Sequence, residues 1–383
     1  MDSVELFSGA GGLALGTAQA GFRHLAVLER DGPSCETLLA NKDRDPHVSS
    51  WPIHRCDIRD FDYSGLPDEI DLVAGGPPCQ PFSLGGKHGG HRDQRDMFPE
   101  VCRAVRELRP RAFIVENVRG LLRESFARYF EYVKLRLEHP QLTAKPDETW
   151  LDHLDRLERQ ETSGREEDLH YHVVFRCLNA ADYGVPQRRE RVFIVGFRAD
   201  LGIEWAFPEP THSKEALLFR KWVTGEYWDQ HKVPKKHRDS PPSRNRIDAL
   251  RDNWIAQTMS PWPTVRDALA SLPKPTKRGH PAIEDHVYIP GARVYPGHTG
   301  SPQDEPAKTL KAGVHGVPGG ENMTVLDDGS VRYFTVRESA RLQGYPDHIH
   351  FPGCWSETMR QLGNSVPVTL GQRVGAAVHD VLK

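Results

Sequence analysis

A cysteine set among prolines is the residue of this chain with the clearest chemical potential. Residues 75–83 read GGPPCQPFS and follow residues 70–74, a short apolar run that predicts a buried strand. Proline fixes φ and removes a backbone donor, so this loop is stiff and cannot continue the strand. Loops at strand ends are where open α/β sheets bind ligands, so Cys79 could be an aimed nucleophile rather than an inert buried thiol. The loop alone does not decide between these roles.

Two later segments could supply an acid and cations to such a thiol. Residues 112–118 (AFIVENV) predict a buried strand that ends in the carboxylate Glu116, although Glu116 could instead cap a following helix. Residues 187–191 (QRRER) place Arg189 and Arg191 at the start of another apolar run. Such arginines usually only solvate a sheet edge. Close to a carboxylate and a cysteine, they would lower the thiol pKa and hold an anionic or carbonyl-bearing substrate.

A glycine turn opens the chain. Residues 4–7 predict a strand, 8–12 (SGAGG) a tight turn and 13–21 a helix. Glycines let the backbone approach a ligand closely, and this spacing also fits the loose dinucleotide fingerprint. Glu29 ends a second predicted strand and Asp57 a third, where both could bind ribose hydroxyls. The pattern predicts a cofactor that contains a nucleoside, with ordinary glycine turns as the alternative.

Taken in order, these segments resemble the motifs of the bacterial DNA (cytosine-5)-methyltransferases of restriction-modification type. The stretch FSGAGG resembles the family's cofactor loop, GPPCQ its nucleophile loop, ENV its acid motif and QRRER its arginine motif. Near the C-terminus, RESARLQGYP resembles the segment that orients the recognition domain, and GNSVP the last motif, which returns to the cofactor. The resemblance covers nearly the whole chain.

The resemblance implies S-adenosyl-L-methionine as the cofactor, double-stranded DNA as the substrate and no metal. It assigns catalysis to Cys79, Glu116, Arg189 and Arg191, and it implies DNA contacts by the loop after the nucleophile, which holds Gln80, Ser83, Lys87 and Arg92. The implied cofactor contacts are Phe7, Ser8, Gly9, Gly11, Gly12, Leu13, Glu29, Asp57, Ile58, Pro78, Asn364, Ser365 and Val366.

These residue types suit methylation of cytosine at C5. That carbon is a weak nucleophile until a thiolate, here Cys79, adds at C6 and turns the ring into an enamine. Glu116 could give a proton to N3 if burial raises its pKa, and the arginines could bind O2. Because C5 is inaccessible in stacked DNA, the base must be flipped out.

The length of 383 residues predicts two domains. Residues 1–206 alternate strands with helices and predict an α/β catalytic domain, a Rossmann-like fold with a mostly parallel sheet, interrupted by a charged, exposed helical insertion at about 119–170. By the resemblance, residues 207–331 form a smaller, irregular, β-rich target recognition domain. Residues 332–362 then act as a hinge, and residues 363–383 pack back on the catalytic domain.

Charge distribution agrees with a DNA substrate more than net charge does. The chain carries a net charge of −3, but residues 231–280 hold eleven Lys and Arg against four Asp, a local excess of about +7. This excess predicts contacts with DNA phosphates, including contacts by Lys235 and Lys236. The alternative is that these charges only form a solvated face. Six cysteines without ligand spacing suggest neither zinc nor disulfides and fit a reducing prokaryotic cytoplasm. No apolar run is long enough to span a membrane, and no signal peptide is recognisable.

Three other functions remain open. An RNA cytosine methyltransferase of the same fold, acting on tRNA, would share the motifs but would not obviously need residues 207–331. A nicotinamide oxidoreductase would explain the glycine turn but not Cys79, Glu116 and Arg189. A non-catalytic DNA-binding module would leave the polar residues without a purpose. A cognate restriction endonuclease, or another defence protein acting on the same site, is a possible partner, and the target sequence cannot be read from the chain.

Overall fold

The computed structural model describes residues 1–78, 96–163, 168–313 and 322–383. Five predicted site residues, Cys79, Gln80, Ser83, Lys87 and Arg92, lie outside these ranges. A seven-stranded sheet, formed by the described residues, is the centre of the fold. Its strands are β1 (Asp2–Leu6), β2 (Arg23–Glu29), β3 (Ile53–Arg55), β4 (Leu72–Gly75), β5 (Ala112–Val118), β6 (Tyr171–Asn179) and β7 (Glu190–Arg198).

The order of the strands confirms the predicted α/β class. They lie in the order β3-β2-β1-β4-β5-β7-β6, and β1 to β5 are parallel, while β7 runs antiparallel to both β5 and β6. The direction of winding changes between β1 and β4, and open α/β sheets bind their ligands at such a point. The loops that follow β1 and β4 contain the predicted cofactor turn and the predicted nucleophile.

Helices cover both faces of the sheet in this first part of the chain. β1 and β4 are buried along most of their length because both faces are covered. β5 packs against β7 so closely that a Cβ on Gly196 would lie 2.2 Å from Phe113 Cζ, so only glycine fits there. The helices are α1 (Gly12–Gln19), α2 (Gly32–Ala40), α3 (Phe98–Leu108), α4 (Ala127–Glu138) and α5 (Trp150–Ser163).

The charged insertion is helical, as predicted, but it is not simply exposed. α5 packs against α4, and its Leu154 and Leu157 are fully buried in the same apolar cluster as the sheet. His153 is also buried, and its imidazole hydrogen-bonds to Tyr132 Oη at 3.0 Å and to the Leu142 carbonyl at 2.7 Å. The helix therefore buries one narrow apolar stripe, and its dense charge lies on the remaining surface.

The second part of the chain contains small sheets, as predicted, and also short helices that the sequence analysis did not predict. One small apolar cluster, centred on Trp228 and Tyr227, is built from this part alone. Its elements are β8 (His212–Ser213), α6 (Lys214–Phe219), α7 (Glu226–Gln230), α8 (Arg244–Arg251), α9 (Trp254–Thr258), β9 (Ser260–Pro261), α10 (Val265–Leu269), β10 (Ser301–Pro302), β11 (Met323–Val325) and β12 (Val331–Tyr333).

The C-terminal part returns to the first domain, as predicted. Its helices are α11 (Val336–Leu342), α12 (Trp355–Asn364) and α13 (Val368–Leu382). α13 lies against α1 without intervening side chains, because a Cβ on Gly16 would be 2.7 Å from both Gln372 N and the Val368 carbonyl oxygen. This close contact fixes the chain just before α13, residues 363–367, beside the glycine turn that starts α1.

Candidate active site

Three polar segments meet at the carboxyl ends of neighbouring strands. β1, β4 and β5 are adjacent in the sheet, so residues 7–12, 76–78 and 116–118 lie at one edge. β7 runs in the opposite direction beside β5, and its first residues therefore reach the same edge. The sheet thus brings together four motifs that are far apart in sequence.

Glu116 and Arg191 form a buried ion pair at this edge. Arg191 Nε lies 2.8 Å from Glu116 Oε1, and the two residues are only 9% and 6% exposed. Burial raises the pKa of Glu116, although the positive charges of Arg191 and Arg189 oppose the shift. The second oxygen, Oε2, faces the loop after β4, since a Cβ on Gly76 would lie 2.8 Å from it. Burial therefore favours the neutral form of the Glu116 carboxyl, and the two arginines favour its charged form.

The neighbouring amide holds the loop that leads to Cys79. Asn117 Nδ2 donates to the Pro77 carbonyl at 3.1 Å, and Asn117 Oδ1 accepts from the Val118 amide at 2.9 Å. Asn117 is buried, so this contact is shielded from water. The acid motif thus positions the proline loop as well as the carboxyl. Pro78 is the last described residue before the predicted nucleophile, and it is exposed.

Arg189 does not share the position of Arg191, although the resemblance assigns catalysis to both. Its side chain is fully buried, and its guanidinium donates to the carbonyl oxygens of Leu310, Gly363 and Ser365 at 2.9, 2.6 and 2.8 Å. Arg191 lies within β7, whereas Arg189 precedes the strand, so the regular geometry of the strand does not fix the direction of the Arg189 side chain. Arg189 therefore acts on the backbone of this protein, and Arg191 is the arginine that contacts Glu116.

The glycine turn has the shape of a ligand cradle. Phe7 and Gly9 both have a φ of +54°, an uncommon conformation for Phe that often marks functional sites. A Cβ on Gly9 would meet no described atom within 4 Å, so the turn opens onto free space. Beside it, the Ser8 hydroxyl is buried and has no hydrogen-bond partner in the part of the chain that the structure describes. Both features suit a polar ligand lying across the turn.

The two predicted ribose carboxylates differ in their surroundings. Glu29 Oε2 accepts from the Gly9 amide at 2.7 Å, so Glu29 also braces the glycine turn. Asp57 does not end a strand, because β3 stops at Arg55 and Asp57 instead caps a 3-10 turn. Its carboxylate pairs with Arg59 at 2.6 Å and with Arg30 at 3.1 Å, and the hydrogen bond from Arg59 lowers its pKa.

The C-terminal motif lies beside the turn as the resemblance implies. A Cβ on Gly12 would be 2.1 Å from Ser365 Oγ and 2.2 Å from the Val366 carbonyl oxygen. Ser365 Oγ also hydrogen-bonds to Tyr345 Oη at 2.7 Å. Asn364 ends α12 and is exposed. Two other predicted cofactor residues have buried side chains that belong to apolar clusters, namely Leu13 and Ile58.

Glu5 is a buried acid that sequence reasoning missed. It lies in β1, is 1% exposed, and neither carboxylate oxygen has a hydrogen-bond partner among the described residues. Burial raises its pKa well above the ordinary value. The signal was a carboxylate that interrupts an apolar strand three residues before the glycine turn. A buried acid of this kind is costly, and it suits a cationic partner.

Some basic residues of 231–280 form salt bridges with carboxylates, and others form none with a described residue. Arg246, Arg251 and Arg266 form salt bridges with carboxylates at 3.0, 2.7 and 2.6 Å. Lys235 and Lys236 are exposed in a 3-10 turn and form no salt bridge with any described residue. Five further cations are also exposed and form no salt bridge with a described residue, namely Lys232, Arg244, Lys274, Lys277 and Arg278. Arg238 is only partly exposed, because it donates to the Val233 carbonyl and lies over the Trp228 ring. Most of the local positive charge is therefore available to a partner.

The described ranges hold neither a metal-binding cluster nor a membrane-spanning helix. They contain no group of three or more His, Cys, Asp or Glu side chains arranged to hold a metal ion. They also contain no helix both long and apolar enough to cross a membrane.

Comparison with known proteins identifies the family. The sequence model described as C-5 cytosine-specific DNA methylase matches residues 1–140 and 151–380. The chain is 31% identical over 386 residues to the type II methyltransferase M.PspPI of Psychrobacter sp. (strain TA137), covering 99% of this chain and 79% of that relative. It is 30% identical to the type II methyltransferase M.NgoMIV of Neisseria gonorrhoeae, covering 100% and 98%.

A solved structure shares the fold. It is a putative DNA modification methyltransferase encoded within a prophage of E. coli, with a TM-score of 0.57 and 21% identity over 100% of this chain and 99% of that one. The S. pombe Dnmt2 methyltransferase has the same TM-score at 16% identity, covering 100% and 99%. The family match covers nearly all of this chain and includes the Glu116 and Arg191 pair. The chain belongs to the C-5 cytosine-specific DNA methylases, the DNA (cytosine-5)-methyltransferases.

Proposed function

We propose that this enzyme transfers a methyl group from S-adenosyl-L-methionine to C5 of a flipped-out cytosine in a specific double-stranded DNA sequence. The buried contact between Glu116 and Arg191, beside the loop that leads to Cys79, carries the proposal. A cytosine ring bound beside this loop would need a carboxyl that can be protonated and a fixed cation, and this pair could supply both. Its role would be to protect host DNA in a restriction-modification or related phage-defence system of a prokaryotic cytoplasm.

The glycine turn fits the cofactor. Gly9 opens onto free space, the Ser8 hydroxyl lacks a described partner, and Glu29 lies at the end of the next strand, within reach of ribose hydroxyls. S-adenosyl-L-methionine carries positive charge on its sulfonium and amino groups, and the isolated carboxyl of Glu5 is a suitable counter-charge. Ser365 and Val366 would close the pocket from the C-terminal side.

The residues of the site would then do the following. Cys79, as a thiolate, forms a bond to C6 of cytosine, and the displaced ring electrons are taken up at N3 with a proton from Glu116. Arg191 holds Glu116 in place and stabilises negative charge on the ring. The bound cofactor supplies the electrophilic methyl group. Loss of the C5 proton to solvent then expels Cys79 and restores the C5–C6 double bond, and N3 returns its proton to Glu116.

DNA is favoured over RNA as the substrate by the second part of the chain. Residues 207–331 carry exposed cations without salt bridges to described residues, including Lys235 and Lys236, which suits phosphate contacts along a duplex. The curated relatives that match over this region are named type II methyltransferases. We propose that 207–331 reads the target sequence, that 332–362 orients it, and that a restriction endonuclease of the same specificity is the partner.

Bisulfite sequencing tests the proposed function. DNA from cells that express the protein should show methylated cytosine within one short sequence, and DNA from cells with an empty vector should not. The result would also give the recognition sequence, which phosphate contacts cannot define. If cytosines in tRNA are methylated and DNA is unchanged, the enzyme is an RNA methyltransferase and our assignment of 207–331 is wrong.

Glu5→Gln should weaken cofactor binding without disturbing the fold. The substitution removes the negative charge and keeps the shape, and a hydrogen bond to a charged group contributes about 1.5–3 kcal/mol, roughly a 10- to 150-fold change in Kd. Affinity of the wild type should also rise with pH as Glu5 ionises, because its pKa is raised, and the variant should lose this dependence. Calorimetry with S-adenosyl-L-methionine measures both effects.

The exposed Glu36→Gln is the matched control, and it should bind the cofactor as the wild type does. S-adenosyl-L-methionine should also raise the Tm of the wild type, whereas NAD should leave it unchanged. Stabilisation by NAD alone would instead support a nicotinamide oxidoreductase.

A further inference from the structure

The short turn before β7 lies where three parts of the chain meet. The Arg189 guanidinium donates to Leu310 O at 2.9 Å, to Gly363 O at 2.6 Å and to Ser365 O at 2.8 Å, and its side chain has no exposed surface. One rigid, planar group therefore sets the spacing between residues 307–313 and residues 363–365.

Gln187 adds a second buried link at the same turn. Its Oε1 accepts from the Leu310 amide at 3.0 Å, and its Nε2 donates to the Leu342 carbonyl at 3.0 Å. Gln343 extends the link, because its Nε2 donates to the Leu362 carbonyl. Both glutamines are fully buried, so these hydrogen bonds cannot be exchanged for water without cost.

On one side of this turn lies the end of the proposed recognition region. The Ala307 amide donates to the Pro186 carbonyl at 2.9 Å, and the Arg188 amide donates to the Ala307 carbonyl at 2.8 Å. Thr309 Oγ1 donates to the Arg188 carbonyl at 2.7 Å. Further along, a Cβ on Gly363 would lie only 2.2 Å from Ala312 N, so the segment has no room to move independently. Residues 307–310 are thus held against residues 186–189, and residue 312 lies against Gly363.

On the other side lies the cofactor turn. Ser365 Oγ contacts Tyr345 Oη at 2.7 Å, and Tyr345 Oη donates to the Ala10 carbonyl at 3.3 Å. The same Ser365 hydroxyl leaves no space for a side chain at Gly12. Any displacement of Ser365 would therefore reach the glycine turn directly, since packed interiors transmit strain.

We infer that Arg189 is a positioning residue that couples DNA binding to cofactor binding, an inference that rests on the proposed function. A shift of residues 307–313 on contact with DNA is passed by the guanidinium to Gly363 and Ser365, and from there to the glycine turn. Coupling of this kind is reciprocal, so cofactor binding must change DNA affinity by the same factor. This role explains why an arginine of the motif bonds to backbone carbonyls rather than to Glu116.

Calorimetric titration of S-adenosylhomocysteine, the unreactive product, tests the coupling. The wild type should bind it about 5-fold or more tightly in the presence of the duplex identified by bisulfite sequencing, within the usual range of such factors. In Arg189→Lys this factor should fall to about 2-fold or less, because one ammonium cannot reproduce the planar fork. The affinities for each ligand alone should stay within about 3-fold of the wild type.

Arg188→Lys is the matched control, because it makes the same exchange at the exposed neighbour and should leave the coupling factor unchanged. If Arg189→Lys does not fold, Thr309→Val takes its place in the test. This substitution removes only the hydrogen bond to the Arg188 carbonyl, and it should also lower the coupling factor. If Arg189→Lys folds and keeps the wild-type coupling factor, the inference is overturned. If Arg189→Lys does not fold, a wild-type coupling factor in Thr309→Val overturns it. A wild type that methylates DNA but shows no coupling also overturns it and leaves the proposed function intact, whereas absence of cytosine methylation refutes the proposed function itself.

Discussion

Cys79→Ala should abolish methyl transfer while DNA and cofactor binding persist. Without the thiolate, C5 of cytosine is too weak a nucleophile, so loss of the covalent route should leave no measurable turnover. Pro77 and Pro78 should keep the loop in place, because the Asn117 amide binds the backbone at Pro77 and not the cysteine side chain. Transfer of a tritiated methyl group to DNA measures the activity, and gel shift measures binding.

Two comparisons make the Cys79 prediction specific. DNA that contains 5-fluorocytosine at the target base should form a denaturation-resistant complex with the wild type and none with Cys79→Ala, because fluorine at C5 blocks release of the thiol. Cys354→Ser, a change at an exposed cysteine, should retain activity and trapping. Normal turnover by Cys79→Ala would show that another nucleophile, or none, is used.

Glu116→Gln should lower the single-turnover rate by about two to four orders of magnitude, the usual contribution of a general acid. Glutamine keeps the shape and can still donate a hydrogen bond, but it cannot transfer a proton to N3. DNA affinity should change little, because Glu116 lies in the catalytic pocket and carries no phosphate contact. Rapid-quench measurement with enzyme in excess over DNA separates this chemical step from product release.

The pH dependence gives a second test of Glu116. Burial raises its pKa, so the protonated form extends to higher pH than for an ordinary glutamate, and the rate should fall as pH rises through that pKa. Glu116→Gln should lack this decline. Glu190→Gln is the control, because Glu190 is an exposed acid in the same motif that pairs with Arg119 at 2.7 Å. A wild-type decline that persists in Glu116→Gln would assign the proton to another group.

Local pattern predicted most of the secondary structure of the first domain. The apolar run 112–118 coincides with β5, and the helix predicted at 13–21 overlaps α1. Such segments are decided by their own periodicity and by their turn residues, so sequence suffices. Asp57 was misplaced by a few residues because β3 is short, and short strands have weak periodicity.

The second domain was less predictable. Its strands are only two or three residues long, and its short helices α6 to α10 bury few residues each. These elements are stabilised by tertiary contacts, such as those of the buried Lys221 ammonium, which lies 2.5 Å from the Asp239 carboxylate and 3.1 Å from the Asp304 carbonyl oxygen. Contacts between residues so far apart in the chain leave no local pattern to read.

By itself the sequence determined the family, the α/β class and the types of residue that the chemistry uses, because motif order and apolar periodicity are local properties. Only the tertiary structure decided which arginine meets Glu116 and which bonds to backbone carbonyls. It also decided that Glu5 is left without a described partner. These outcomes depend on which distant segments fill the space around each side chain. Arg191 is paired with β5 at Val118, whereas Arg189 precedes β7 and reaches the carbonyl oxygens of residues 310, 363 and 365.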